Sequence, residues 1–236
     1  MLSLESNGIN AIGQNLHQNG WVFLSHVHPD IWQTVAKQIA KCQPMTQENG
    51  QTIYDVKANS SKQNRSDSQS QNPLRPHTDG SDLLVPPNYL ALYCLKPDQF
   101  GGGYTTLADG QELLRHLTET DQQKMLSNPY PFFSKDGKQQ ILRPILSLNQ
   151  NQPLFRFSYN TLVYGTPSPE MTQTTPSVRD SWLLDICHKI VNWFDNNHES
   201  IRIPQNGLLI FNNHRMLHSR TAYWDAERHL QRLWLI

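Results

Sequence analysis

Three side chains carry the plainest chemistry in this sequence: His77, Asp79 and His218. The first two belong to the run Arg75-Pro76-His77-Thr78-Asp79-Gly80. The third closes the downstream run Phe211-Asn212-Asn213-His214-Arg215-Met216-Leu217-His218. In an extended chain, residues two apart point to the same side. His77 and Asp79 can therefore reach one metal ion while Thr78 turns away. Two imidazoles and one carboxylate can cap one face of an octahedral metal and leave three positions open. That is the donor set with which non-haem Fe(II) oxygenases hold their metal. A His-x-Asp alone is common by chance, so the reading depends on the rest of the chain. His214, four residues before His218, competes with it for the third position.

Past His218 come Arg228 and Arg232, in Arg228-His229-Leu230-Gln231-Arg232 at the start of an apolar segment. Four residues apart in a strand, they face the same side. Buried guanidinium groups demand anionic partners, because an unpaired buried charge is very costly. The planar fork of arginine suits a carboxylate held at two points. Iron with open positions beside such an arginine can hold a 2-oxo acid, its keto and carboxyl oxygens on the metal and its far carboxylate on Arg228.

The elements that must position these groups are mostly strands. Trp21-Val22-Phe23-Leu24 leaves the turn Asn19-Gly20, and Pro29-Asp30 opens a helix whose Ile31, Val35 and Ile39 form one stripe. Tyr89 to Leu95 is an almost continuous apolar run of strand length. Gly101-Gly102-Gly103 breaks the chain before a strand at Tyr104 to Leu107, and Asp109 is an N-cap for a helix through Leu113, Leu114 and Leu117. Further strands are expected at Ile141 to Leu148, Leu154 to Tyr159, Gly207 to Phe211 and Leu230 to Ile236. An amphipathic helix spans Val178 to Phe194, with Trp182, Ile186, Ile190 and Trp193 or Phe194 inward. The pattern predicts a mainly β fold with two or three flanking helices, a two-sheet jelly roll rather than a parallel α/β sheet.

At 236 residues the chain reads as one domain. Its 20 basic and 20 acidic residues balance, which argues against a nucleic-acid partner. Cys42, Cys94 and Cys187 form no C-x-x-C pair and read as reduced thiols in the core. Met1 to Asn10 is polar, and no long apolar run is present, so no membrane association and a cytoplasmic location are expected. The segment from about residue 57 to 73 carries no large apolar group in its Ala58 to Ser70 stretch. It cannot offset its ordering entropy by burial. It is read as a loose surface loop or, because it runs into His77, as a mobile lid over a site.

The chain resembles the taurine dioxygenase, clavaminate synthase and γ-butyrobetaine hydroxylase group of Fe(II)/2-oxoglutarate-dependent oxygenases. Six stretches carry the likeness, in order: His77-Thr78-Asp79; Pro87 to Leu95; Gly102 to Gly110; Phe155 to Asn160; Asn213 to Ala222; and Arg228 to Arg232. The resemblance implies a double-stranded β-helix (jelly roll), with Fe(II), 2-oxoglutarate and O2. It places His77, Asp79 and His218 as metal ligands, preferring His218 over His214. It places Thr105 and Arg228 at the distal carboxylate of 2-oxoglutarate, although Thr106 is the adjacent alternative and only one of the two can face the site. Arg232 matches a position that touches an acidic group of the substrate in some relatives. Two departures stand out: Asn212 replaces a frequent Asp, and Ser219 a common Gly. The acid at Asp79 sets the chain apart from halogenases of the wider family, which lack it.

The implied activity is hydroxylation of an unactivated C–H bond in a small amino-acid-like or amine substrate, free or tethered to a carrier or peptide. Desaturation, cyclisation or epimerisation would use the same machinery. A jelly-roll protein that binds metal or ligand without turnover is the competing class, and a metal hydrolase a third. Arg220 is read either as a contact to a cofactor carboxylate or as half of a salt bridge. Tyr104, Tyr159 and Trp224 are read either as lining the pocket or, by preference, as packing in the core.

Overall fold

A computed structural model describes residues 6–149 and 152–236. Residues 1–5 of the polar N-terminal stretch lie outside them. Helix α1 (Ser6–Asn19) runs to the turn at Gly20, strand β1 (Trp21–Leu24) leaves it, and α2 (Trp32–Ala40) follows. Then come β2 (Pro44–Met45), β3 (Ile53–Lys57), β4 (Leu74–His77), β5 (Tyr89–Lys96) and β6 (Thr105–Asp109). Helices α3 (Gly110–His116) and α4 (Glu119–Ser127) precede two antiparallel pairs, β7 (Pro129–Phe133) with β8 (Gln140–Pro144), and β9 (Leu146–Asn149) with β10 (Gln152–Phe155). Helices α5 (Tyr159–Tyr164) and α6 (Ser181–Asn197) follow. The chain ends with β11 (Glu199–Ile201), β12 (Leu208–Asn212), β13 (Met216–Arg220) and β14 (His229–Leu235).

Two antiparallel sheets face each other. The larger runs β1-β12-β5-β14-β2, with β3 also paired to β14; the smaller runs β11-β6-β13-β4. Alternation along each strand sorts the side chains into three layers. Leu90, Leu92 and Cys94 of β5, Leu209 and Phe211 of β12, and Leu230 and Trp234 of β14 meet Leu107 and Met216 between the sheets. The opposite face of the larger sheet, with Ala91, Tyr93, Ile210 and Leu233, is covered by Leu16 of α1 and by Trp32, Val35 and Ile39 of α2. Ala108 and Leu217, on the far face of the smaller sheet, pack with Ile186, Ile190 and Phe194 of α6. Both faces of β5 are therefore dry, which explains its unbroken apolar sequence. Ile190 is fully buried. Ile190→Ala should lower stability by about 2–5 kcal/mol in urea unfolding.

The mainly β jelly roll agrees with the sequence reading, and β1, α2, β5, α3, α6, β12 and β14 lie where periodicity puts them. The described residues hold six α-helices rather than two or three. Ile9, Ile12 and Leu16 give α1 its apolar stripe, but Asn and Gln dilute it. The strand expected over Ile141 to Leu148 is two strands in different sheets, divided at Pro144-Ile145. The strand expected over Leu154 to Tyr159 ends at Phe155. Ser158 then caps α5, its hydroxyl accepting from the Thr161 amide. Of the aromatics assigned to the core, Tyr159 is buried, whereas Trp224 is 67% exposed. Cys94 and Cys187 are buried free thiols, and Cys42 is half-buried.

Candidate active site

The smaller sheet carries the two histidines. His77 ends β4 directly opposite His218 of β13, and the two rings lie 4.1 Å apart between centroids. Beyond His77 the chain leaves the strand. The Thr78 amide donates to the Phe157 carbonyl at 2.7 Å, and the Thr78 hydroxyl donates to that of Phe155 at 3.2 Å. Thr78 is thus anchored sideways, as the alternation of a strand demands, and Asp79 turns back towards the imidazoles. Its Oδ1 lies 3.4 Å from His77 Nε2 and 3.6 Å from His218 Nε2. One donor atom from each of the three side chains lies within 4.8 Å of the others.

The surroundings orient these donors. His77 Nδ1 is 2.8 Å from the Arg75 carbonyl. A carbonyl only accepts, so Nδ1 donates this bond, and Nε2 is the nitrogen that faces Asp79. The other oxygen of Asp79 accepts from Trp234 Nε1 at 2.9 Å and pairs with Arg232 Nη1 at 2.9 Å. Burial opposes the charge on Asp79, but Arg232 and the two imidazoles outweigh it and hold the carboxyl well below its ordinary range. Burial, with His77 beside it, pushes His218 down to about 4 and keeps its imidazole neutral. A charged carboxylate at Asp79 and a neutral imidazole at His218 are protonation states that a divalent metal requires.

Asn213 holds the Asp79 backbone. Its Oδ1 accepts from the Asp79 amide at 2.8 Å, while its Nδ2 donates to the carbonyls of Asp79 and Pro87 at 2.9 and 3.0 Å. Sequence reading missed both Asn213 and Trp234. An Asn next to the turn before His218 was the one available signal for the first, and nothing short of the fold marks the second. Asn212, the residue that departs from the family's Asp, supports the β12–β13 turn, accepting from the amides of His214 and Arg215. His214 lies away from the cluster, with its Nε2 3.2 Å from the Pro86 carbonyl.

The arginines differ in their surroundings. Arg232 is enclosed: Nε donates to Gln47 Oε1 at 2.8 Å, and Nη2 to both oxygens of Glu48 at 2.9 and 3.1 Å. With Nη1 on Asp79, this guanidinium already serves the chain's own acids, while its side chain also lines the cavity. Arg228 is 2% exposed and gives Nη2 to the Gly103 carbonyl at 3.0 Å. Its Nη1 is buried with no hydrogen-bond partner among the described residues. A buried, unsatisfied, charged donor is a place for an anion.

Thr105 belongs to the same neighbourhood. It pairs with Arg220 across β6 and β13, as Leu107 pairs with His218. Cross-strand partners and alternate residues share a face, so Thr105 lies on the His218 side. Thr106 lies on the other side, where its hydroxyl bonds that of Ser219 at 3.0 Å. The Gly101–Gly103 turn is drawn against the segment before β14 by Asp98, whose carboxylate accepts from the amides of Phe100, Gly102, Trp224 and Asp225. Gly103 has φ +70° and passes so close to Arg228 that a Cβ would strike the guanidinium. Gly103→Ala should displace Arg228 and weaken 2-oxoglutarate binding at least tenfold, measured by titration under nitrogen; about 1.4 kcal/mol suffices for that loss.

A cavity of about 860 Å³ opens beside the cluster, with His77, Asp79, Tyr54, Lys135, Arg232 and Trp234 among its walls. Ser66 to Gln69 of the polar segment form another wall. Composition predicts that this segment is loose, but polar bonds fasten it. The Asn59 amide donates to Gln69, the Ser66 amide to Pro169, and Ser66, Asp67 and Ser70 are buried. Lys135, at the tip of the β7–β8 hairpin, donates to the Tyr54 hydroxyl at 2.6 Å and lies 3.9 Å from Asp67.

A family model described as taurine catabolism dioxygenase TauD, TfdA family matches residues 1–234. No curated protein matches this sequence. Among solved structures, an asparagine oxygenase in complex with Fe(II), 3-hydroxyasparagine and succinate aligns with TM-score 0.77 at 14% identity. The alignment covers 98% of this chain and 78% of that one. The non-haem iron oxygenase OrfP with Fe, succinate and dihydroxyarginine aligns with TM-score 0.72 at 15% identity, covering 99% of this chain and 81% of that one. At such identities these structures establish a shared fold.

Proposed function

From the premise that this chain belongs to the TauD, TfdA dioxygenase family, we propose that it is an Fe(II)- and 2-oxoglutarate-dependent dioxygenase that hydroxylates an unactivated C–H bond of an amino-acid-like or amine substrate. The observation that carries this reading is the convergence of His77, Asp79 and His218, with donor atoms of the right type, beside a cavity. The donor set suits a ferrous ion. The unsatisfied Nη1 of Arg228, on the side of Thr105, suits the distal carboxylate of a 2-oxo dicarboxylic acid.

Fe(II) with 2-oxoglutarate and O2 supplies the oxidising power for C–H cleavage. The protein's own part is placement. His77, Asp79 and His218 are the side chains that would hold the metal, beside the cavity. Trp234 and Arg232 fix the outer oxygen of Asp79, so that its inner oxygen points at the imidazoles. Such outer partners typically contribute about 10–100-fold in metal affinity or activity. Arg228 and Thr105 would hold the co-substrate by its far end.

The two solved structures named above are bound to hydroxylated asparagine and arginine derivatives, which supports an amino acid as the substrate class here. The cavity of about 860 Å³ accommodates a ligand of that size. A weak visible charge-transfer band should appear when Fe(II) and 2-oxoglutarate meet the protein without oxygen, and succinate release should then follow a screen of amino acids, amines and sulfonates. Zn(II)-supported turnover without O2 consumption would replace this reading with that of a hydrolase. No helix among the described residues is long and apolar enough to cross a membrane.

A further inference from the structure

Arg220 is a buried cation that the reading above leaves without a task. It is 4% exposed and lies two residues past His218 on the same face of β13, opposite Thr105. Among the described residues it has no carboxylate partner within salt-bridge distance. Its Nη1 donates to the Ser68 carbonyl at 2.9 Å, and its Nη2 to those of Ser70 and Asn72 at 2.6 and 2.5 Å. One guanidinium thus grips three carbonyls of the polar segment that walls the cavity.

It shares an aromatic neighbour with Arg228. Both guanidinium carbons stand 4.8 Å from the ring centre of Tyr223. Three buried polar atoms in this group lack partners: Arg220 Nε, Arg228 Nη1 and Tyr223 Oη. Two cations share one buried ring and repel each other until an anion arrives.

We infer that Arg220 is a positioning residue that couples the co-substrate pocket to the Ser66–Asn72 segment, whose Ser66–Gln69 stretch walls the substrate cavity. A dicarboxylate held by Arg228 and Thr105 neutralises the pair of guanidinium groups. Relieved of that repulsion, Arg220 keeps its geometry, and its grip on the three carbonyls tightens. Filling one pocket thereby stiffens the surface against which the second substrate binds. The segment that reads as floppy in sequence becomes a wall whose firmness reports co-substrate occupancy. This inference rests on the oxygenase reading above and adds to it a role for a side chain outside the metal and co-substrate contacts.

The test is hydrogen exchange of the peptide covering residues 66–72 in the Fe(II) protein under nitrogen, with and without 2-oxoglutarate, with the visible band recorded on the same samples. In the native protein, exchange should slow about tenfold or more on addition of 2-oxoglutarate, the scale of one charge-assisted hydrogen bond. In Arg220→Lys and Arg220→Met, exchange should be fast in both states, because neither side chain presents the three-carbonyl fork. A band without any change in exchange in the native protein overturns the coupling and leaves the oxygenase reading intact. The same slowing in Arg220→Met also overturns it. Absence of the band overturns the oxygenase reading, and the coupling with it. The native arm alone decides the matter if the variants do not fold.

Discussion

His77→Ala should abolish substrate-dependent succinate release, with turnover falling more than about 100-fold. Loss of a mere outer partner of a metal ligand already costs about 10–100-fold, and this change removes a ligand itself. The side chain is half-buried, and its ring contributes little to either core, so the variant should fold. It should also bind Fe(II) more weakly, and adding 2-oxoglutarate without oxygen should give no visible band. Full turnover in a folded His77→Ala protein would show that the metal, if there is one, lies elsewhere. Asp79 is a less clean target. Its removal leaves Arg232 and its neighbours without a counter-charge beneath the cavity, so a loss of activity there mixes chemistry with stability.

Arg228→Ala should raise the 2-oxoglutarate requirement on the order of 100-fold, while the requirement for the second substrate changes far less. Truncating one partner of a buried, hydrogen-bonded charge pair costs about 2–5 kcal/mol. The effect should appear both in the apparent KM and in the anaerobic titration of the visible band. Arg228→Lys should recover part of the loss, since it keeps a charge but not the planar fork. Equal effects on both substrates would remove Arg228 from the co-substrate pocket. The unsatisfied Nη1 and the closeness of Gly103 make this the sharpest split that the geometry offers.

The architecture was legible wherever one period dominated. The apolar run of β5, the stripe of α6 and the Asp109 cap each express a local rule that the tertiary structure keeps. It was less legible where polar contacts replace apolar ones. The stretch from Lys57 to Asn72 has little to bury, and composition alone makes it loose. Much of its order comes from distant partners such as Arg220, a residue about 150 positions away in the chain. Likewise Phe157 and Ser158 have the alternation of a strand, yet Ser158 ends the pattern by capping α5.

By itself the sequence determined the kind of fold and the identity of three side chains fit to hold a metal, because donor type and the two-residue spacing of His77 and Asp79 are local properties. It also singled out Thr105 from Thr106 only as a preference. The register of β6 against β13 decided which of the two faces His218, since a shift of one residue would exchange the faces. The same holds for Arg232, which the sequence offers to a substrate anion and the fold surrounds with Asp79, Gln47 and Glu48. Charges buried together are assigned by proximity in space, and strands far apart in sequence set that proximity.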